Sequence, residues 1–286
     1  MPKVPGSDGA RNQLEIRAFH LKRGGGHAIL NWLALCAERP AVFLNCSFSK
    51  PLKVRLRGQR VFRRVVDPPP GERALYGIEL DPRWGWRQVA EMEKELLLYN
   101  LENFDLARVP GEPLLQPGGA EPILGRSAKR RTLLILRDAF NTFASAWRGK
   151  RRMRRRVERF YAHQWKVYAR EFLGETGYLP PDTVRINYNR WFSDSGYRLE
   201  LAEELGLPRS DAGLDDVPGF GGGSSFSGRA AAGAARAMPV LERWRAVADD
   251  PVYRRALDAE TIELSNRIFG DVTGGEIPGA SSSSSR

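Results

Sequence analysis

The chain of 286 residues has only two cysteines, Cys36 and Cys46, and three histidines, His20, His27 and His163. Two cysteines exclude a disulfide scaffold, and free thiols in a reducing, cytoplasmic setting are expected. The histidines and cysteines show no metal-ligand spacing, so no metal is expected. No apolar run approaches the ~20 residues that a membrane-spanning helix needs. The opening MPKVPGSDGARNQ carries no apolar stretch behind its lysine, so no secretory signal is expected. Internal repeats are also lacking. What remains is an ordinary globular composition, 42% hydrophobic, 10% aromatic and 28% charged, which excludes wholesale disorder and collagen-like structure.

Positive charge is in excess, with a net charge of +11 and a pI near 10.0. Much of it sits between Arg148 and Arg159, where eight basic residues face Glu158 as the lone acid. So cationic a segment points to an anionic partner.

The ends, 1–13 and 271–286, are Gly-, Pro- and Ser-broken and read as tails around one domain, 14–270. Inside it short apolar runs alternate with amphipathic segments. Strands are expected at Glu15–Leu21, Ala41–Asn45, Leu96–Tyr99, Thr132–Leu136 and Thr183–Tyr188. Helices are expected at His27–Arg39, Trp86–Glu95, Ala139–Trp147, about Arg152 to Leu173, Ser195–Leu205, and around 240–248 and 253–269. Residues 50–84 and 108–128 are rich in Pro, Gly and Arg and read as irregular. Strands separated by helices predict an α/β fold, a parallel sheet flanked by helices on both faces. Such sheets bind ligands beyond the carboxyl ends of their strands.

Two features stand at those ends. The first is Lys22-Arg23-Gly24-Gly25-Gly26-His27, between the first strand and the first helix. Glycines admit close backbone approach, a helix N-terminus offers unpaired N–H groups, and Lys22 and Arg23 add full charges, so the segment suits a phosphate-like group. A Walker loop would need GxxxxGK[ST], but here the cations precede the glycines and His27-Ala28 stands where Lys-Ser/Thr should be. The dinucleotide pattern GxGxxG fails as well, at Ile29. The second feature is Arg137, closing the strand TLLIL, with Ser145 eight residues on. A guanidinium there suits bidentate contact with a phosphate. Alone, it can equally pair with Asp138 or cap a helix, and Asp138 itself can be read as a Walker-B acid.

Taken together and in order, these elements resemble the sulfotransferases that use PAPS (3′-phosphoadenosine-5′-phosphosulfate). Arg23–His27 resembles their 5′-phosphosulfate segment, with Gly24 in place of the usual serine and Gly26-His27 in place of a hydroxyl-bearing pair. Arg137 and Ser145 resemble the pair that binds the 3′-phosphate. VRINYNRWFSDSGYRLELAEELGL at 184–207 resembles the family's strand, acidic turn and helix, and GGGSSFSG its late glycine loop. HAILNW and GGGSSF look like a bacterial subgroup of undefined substrate. The resemblance spans roughly 15–230.

It implies a P-loop-like three-layer sandwich and metal-free sulfuryl transfer from PAPS to a hydroxyl, with a carbohydrate as the favoured acceptor. Lys22, Arg23, Gly24, Gly25, Gly26 and His27 would hold the 5′ end. Arg23 would also stabilise charge on the leaving phosphate. Arg137 and Ser145, joined by Ser224, Ser225 and Arg229, would hold the 3′-phosphate. Tyr188 and Trp191 either flank adenine or belong to the core. His27 is a candidate base or an anion donor, Glu102 a comparable base or a helix cap, and His20 a packed strand residue. Two other readings stay open. One is a Mg-dependent P-loop kinase or nucleotide hydrolase with a degenerate loop. The other is nucleic-acid binding through 148–159 with Trp147, Phe160, Tyr161, Trp165 and Tyr168.

Overall fold

The computed structural model describes residues 9–38, 41–45, 60–64, 78–80, 86–148, 160–211, 213–215 and 234–277. Among these residues seven strands, β1 (Asn12–His20), β2 (Ala41–Asn45), β3 (Arg60–Arg64), β4 (Ile78–Leu80), β5 (Lys94–Glu102), β6 (Ser127–Leu136) and β7 (Val184–Asn187), form one sheet. Its order is β4-β3-β2-β5-β1-β6-β7. The five strands from β2 to β7 pair in parallel. β3 and β4 extend the β2 edge antiparallel. The helices are α1 (Gly26–Cys36), α2 (Trp86–Glu91), α3 (Glu121–Leu124), α4 (Ala139–Trp147), α5 (Ala162–Phe172), α6 (Tyr188–Ser193), α7 (Ser195–Leu205), α8 (Pro251–Ala256) and α9 (Ala259–Phe269).

The parallel strands are apolar on both faces because both are covered. Ile16, Ala18, Leu96, Leu98, Leu133 and Ile135 pack with Ile29, Leu33 and Trp32 of α1 and with Leu201 and Leu205 of α7. Alternate residues, Phe19, Leu97, Tyr99, Leu134 and Leu136, pack with Phe140 and Phe143 of α4 and with Trp165 and Tyr168 of α5. The period-two alternation of a pleated strand thus feeds two cores. Each fully buried Leu or Phe in them stabilises by about 1.5–3 kcal/mol. The expected parallel α/β sheet with helices on both faces is the observed one.

Several boundaries differ from the sequence reading. The stretch 50–84 is not wholly irregular, since β3 and β4 lie in it. Its arginines hide the strand pattern of RVFRR from a hydrophobicity count. The helix expected to reach Glu95 stops at Glu91, and β5 takes over from Lys94, whose Nζ donates to the Val89 and Met92 carbonyls at the helix end. The final helical stretch divides at Asp258, whose carboxylate accepts from the Thr261 N–H and caps α9. Val240–Val247 is a 3₁₀ helix. Residues 108–128 hold a 3₁₀ turn at Pro113–Leu115, α3 and the start of β6. Ile277, beyond the expected domain end, is buried in the core.

This topology positions the site. The chain leaves central β1 toward one edge, builds β2 to β5 there, then crosses to β6 and β7 on the other side. The crevice of such a sheet opens beyond the carboxyl end of the strand where the direction reverses. Here that strand is β1, and Lys22 follows it within two residues.

Candidate anion site at the carboxyl edge

Residues 22–25 form a tight turn in which Arg23 (φ 69°) and Gly25 (φ 83°) adopt left-handed backbone. For Arg23 that conformation costs about 1–2 kcal/mol, so its surroundings must hold it. They do. The Lys22 N–H donates to Asn103 Oδ1 at 2.8 Å, and the Asn103 N–H donates to the His20 carbonyl at 2.9 Å, which ties the ends of β1 and β5 together. The glycines are required sterically. A Cβ on Gly25 would lie 2.0 Å from the Tyr188 ring, and one on Gly26 would lie 2.4 Å from the His20 ring. Helix α1 then begins with no side-chain cap and no acid in its first turn. The positive end of its dipole, with the N–H groups that lack an intrahelical partner, is left at the crevice.

Arg137 closes β6 and is 2% exposed. Its Nη1 donates to the Arg23 carbonyl at 3.3 Å and to Ser145 Oγ at 3.2 Å, and its Nη2 donates to the Val240 carbonyl. Its guanidinium carbon lies 5.3 Å from the centre of the Tyr188 ring. Asp138 does not pair with it. That carboxylate accepts from the Asn141 N–H at 2.7 Å and caps α4. The same commitment leaves Asp138 unavailable as a Walker-B acid.

A third guanidinium, absent from the sequence reading, completes the cluster. Arg243 Nη1 donates to Ser145 Oγ at 3.3 Å. Burial first, then the charge of Arg137 and to a smaller extent that of Arg23, hold the Arg243 pKa down at about 10, while Tyr188 pulls the other way. The Nε atoms of Arg23 and Arg137 are buried without a hydrogen-bond partner. Crowded cations with orphaned donors are costly in a free protein and favourable once an anion enters. The signal in sequence was faint, one of the two arginines that flank Trp244 in LERWRAV, about a hundred residues from Arg137 and Ser145.

Around the other side of the turn lie His20, His27 and Glu102. His20 and Glu102 are register partners at the ends of β1 and β5, so Glu102 does reach this crevice. His20 is buried, and desolvation, with a smaller push from His27 and opposed by Glu102, takes its pKa down to about 4. The His20 and His27 rings meet edge to face at 5.6 Å. Tyr188 lies against Gly25 and the Arg137 guanidinium and stacks on Phe192. Trp191 is buried against Trp32, within the core. Ser224, Ser225 and Arg229, and the basic run from 149 to 159, lie outside the described residues. Phe160 is exposed, whereas Trp147, Tyr161, Trp165 and Tyr168 form part of the core.

Among the described residues no helix is long and apolar enough to cross a membrane, and no three His, Cys, Asp or Glu side chains gather as a metal-binding group. No family model matches the chain, and no curated protein matches it. Among solved structures it is similar to the sulfotransferase domain of the Synechococcus PCC 7002 olefin synthase. Identity is 12% and the TM-score 0.42, over 93% of this chain and 98% of that one. A likeness this loose carries no weight for activity, which rests on this chain's own residues.

Proposed function

We propose that the protein transfers a sulfuryl group from PAPS to a hydroxyl acceptor, with a carbohydrate as the favoured class. The observation that carries this is the meeting of Arg137 and Arg243 at Ser145, with Arg137 also donating to the Arg23 carbonyl of the glycine turn. The two anionic ends of PAPS hang from one ribose, so their sites must adjoin. The contact between the Arg137 guanidinium and the Arg23 carbonyl supports that arrangement.

In this reading Arg137, Arg243 and Ser145 take the 3′-phosphate, joined by Ser224, Ser225 and Arg229. The turn 22–27 and the start of α1 take the 5′-phosphosulfate. Sulfuryl transfer, like phosphoryl transfer, passes through a loose transition state, so positioning and charge stabilisation do most of the work. Lys22, Arg23 and the dipole of α1 stabilise the charge that builds on the leaving 5′-phosphate. Tyr188, buried against Phe192 and the Arg137 guanidinium, would form the floor beside which the adenosine lies. His27 or Glu102 takes the acceptor proton in this reading, and no metal is needed for any of these roles.

The test is incubation with ³⁵S-labelled PAPS and a panel of hydroxyl acceptors, glycans included, in the presence of EDTA. A labelled sulfate ester is expected. Nucleotide hydrolysis that appears only with Mg²⁺, and no ester, would replace the proposal with a kinase or hydrolase.

A further inference from the structure

Among the described residues, Arg23 and Asn103 are the two non-glycine residues with left-handed backbone, at φ 69° and 52°. Both adjoin Lys22, the first residue of the anion turn: Arg23 follows it in the chain, and Asn103 bonds to its N–H from the end of β5. A strained backbone persists only where its surroundings over-determine it, and such residues gather at working sites. Asn103 is held from behind. The next residue, Phe104, is buried, its ring meets Phe19 of β1 edge to face at 5.9 Å, and its carbonyl accepts from the Tyr168 hydroxyl of α5 at 2.9 Å. Asparagine tolerates the left-handed region better than most side chains, and its short amide can bond backbone groups close by. Here it adds one rung beyond the last β1–β5 pair, His20 with Glu102. The Asn103 N–H donates to the His20 carbonyl at 2.9 Å, and Oδ1 accepts from the Lys22 N–H at 2.8 Å. One residue on, Arg137 donates to the Arg23 carbonyl at 3.3 Å. The turn is thus gripped at consecutive residues, from β5 on one side of β1 and from β6 on the other.

We infer that Asn103 is a positioning residue for the anion turn: its amide fixes the direction in which the chain leaves β1, and with it the place of the glycines and of the start of α1. This rests on the proposed sulfuryl transfer, in which Asn103 acts through the turn rather than on the nucleotide. The role accounts for the choice of side chain. Glycine would accept the left-handed backbone and lose the link. Aspartate would keep an acceptor for the Lys22 N–H but bring a negative charge, next to Glu102, to the rim of a site built for anions. Asparagine gives the link without the charge. Position matters greatly in such a transfer, where a misplacement of about 1 Å can cost on the order of 100-fold in rate. Loss of the link should therefore fall on the 5′ end of the donor and spare the 3′ end, which Arg137 and Ser145 hold from β6 and α4.

Backbone amide hydrogen exchange of the full chain, read by NMR, tests the link without any ligand. The Lys22 amide is expected to be protected in the parent and in Asn103→Asp, and to exchange at least about tenfold faster in Asn103→Gly, which keeps the left-handed backbone. Titration and kinetics test the role. In Asn103→Gly the affinity for adenosine 3′,5′-bisphosphate should fall about five- to tenfold, that for adenosine 3′-monophosphate should stay within about twofold, and kcat for sulfuryl transfer should fall at least about tenfold. In Asn103→Asp the loss of bisphosphate affinity should shrink as salt is raised, whereas the loss in Asn103→Gly should persist. Equal losses for the two nucleotides, or undiminished bisphosphate affinity and kcat, would make Asn103 a structural residue and overturn the inference. So would an unprotected Lys22 amide in the parent, a result that needs no variant to fold. A parent chain that does not bind the bisphosphate would instead remove the proposed function and this role with it, while a protected Lys22 amide would leave the link itself standing.

Discussion

Arg137 and Arg23 stand 114 positions apart, yet Nη1 of Arg137 donates to the Arg23 backbone carbonyl at 3.3 Å. Through this contact the end of β6 is fixed to the turn that follows β1. It also supports the left-handed backbone of Arg23. Three arginines and a buried serine are thereby gathered beside an uncapped helix start.

Arg137→Ala should weaken binding of adenosine 3′,5′-bisphosphate by about 1.5–3 kcal/mol, the worth of a charge-assisted contact, or roughly 10- to 150-fold. Ser145→Ala should cost less, about 0.5–1.5 kcal/mol, because its hydroxyl is uncharged. Isothermal titration checks both. Unchanged affinity in the two variants would place the 3′-phosphate elsewhere.

Arg243 behaves oppositely in the free and the bound protein. Its folded pKa of about 10 lies well below that of an arginine in the unfolded chain. The penalty for holding it charged is therefore full at neutral pH and is relieved only as the pH rises above about 10. Arg243→Gln should leave the Tm of the free protein unchanged or raised, while nucleotide affinity falls about tenfold. Calorimetry and titration on the same sample decide it. A lowered Tm with undiminished affinity would make Arg243 a structural residue.

Burial holds His20 at about 4, against 6.5 in the unfolded chain. Between those values the unfolded chain binds the proton more readily, so stability falls as the pH drops from 6.5 toward 4. The loss from this group amounts to about 3 kcal/mol at most. Urea unfolding at pH 7 and pH 5 should show the decline, and His20→Gln should flatten it. An equal slope in the variant would assign the decline to other groups.

Gly25→Ala should destabilise the fold by more than about 1 kcal/mol, since the new Cβ meets the Tyr188 ring at a positive φ. Gly174, also at positive φ but with open space around it, is the control: its Ala variant bears the backbone strain alone. Denaturant midpoints compare the two. Equal losses would mean that the Tyr188 contact is not what requires Gly25.

The parallel core was legible because strands buried on both faces read as continuous apolar runs, as in TLLIL and ELLLYNL. The glycine turn and Arg137 were legible because local sequence places them at strand ends. Arg243 was not, since its role arises only when distant elements meet and it carries no local pattern. β3 was missed for another reason: its arginines break the apolar signal, although backbone pairing with β2 is satisfied all the same. Asp138 illustrates the remaining ambiguity, because an acid after a strand can serve a metal or cap a helix, and only the Asn141 contact shows which.

The most direct measurement compares adenosine 3′,5′-bisphosphate with adenosine 5′-monophosphate by isothermal titration in EDTA, on the parent chain and on Arg137→Ala. The 3′-phosphate should improve affinity at least about tenfold in the parent, and most of that advantage should vanish in the variant. Equal affinity of the two nucleotides for the parent chain, or binding that appears only when Mg²⁺ is restored, would contradict the account.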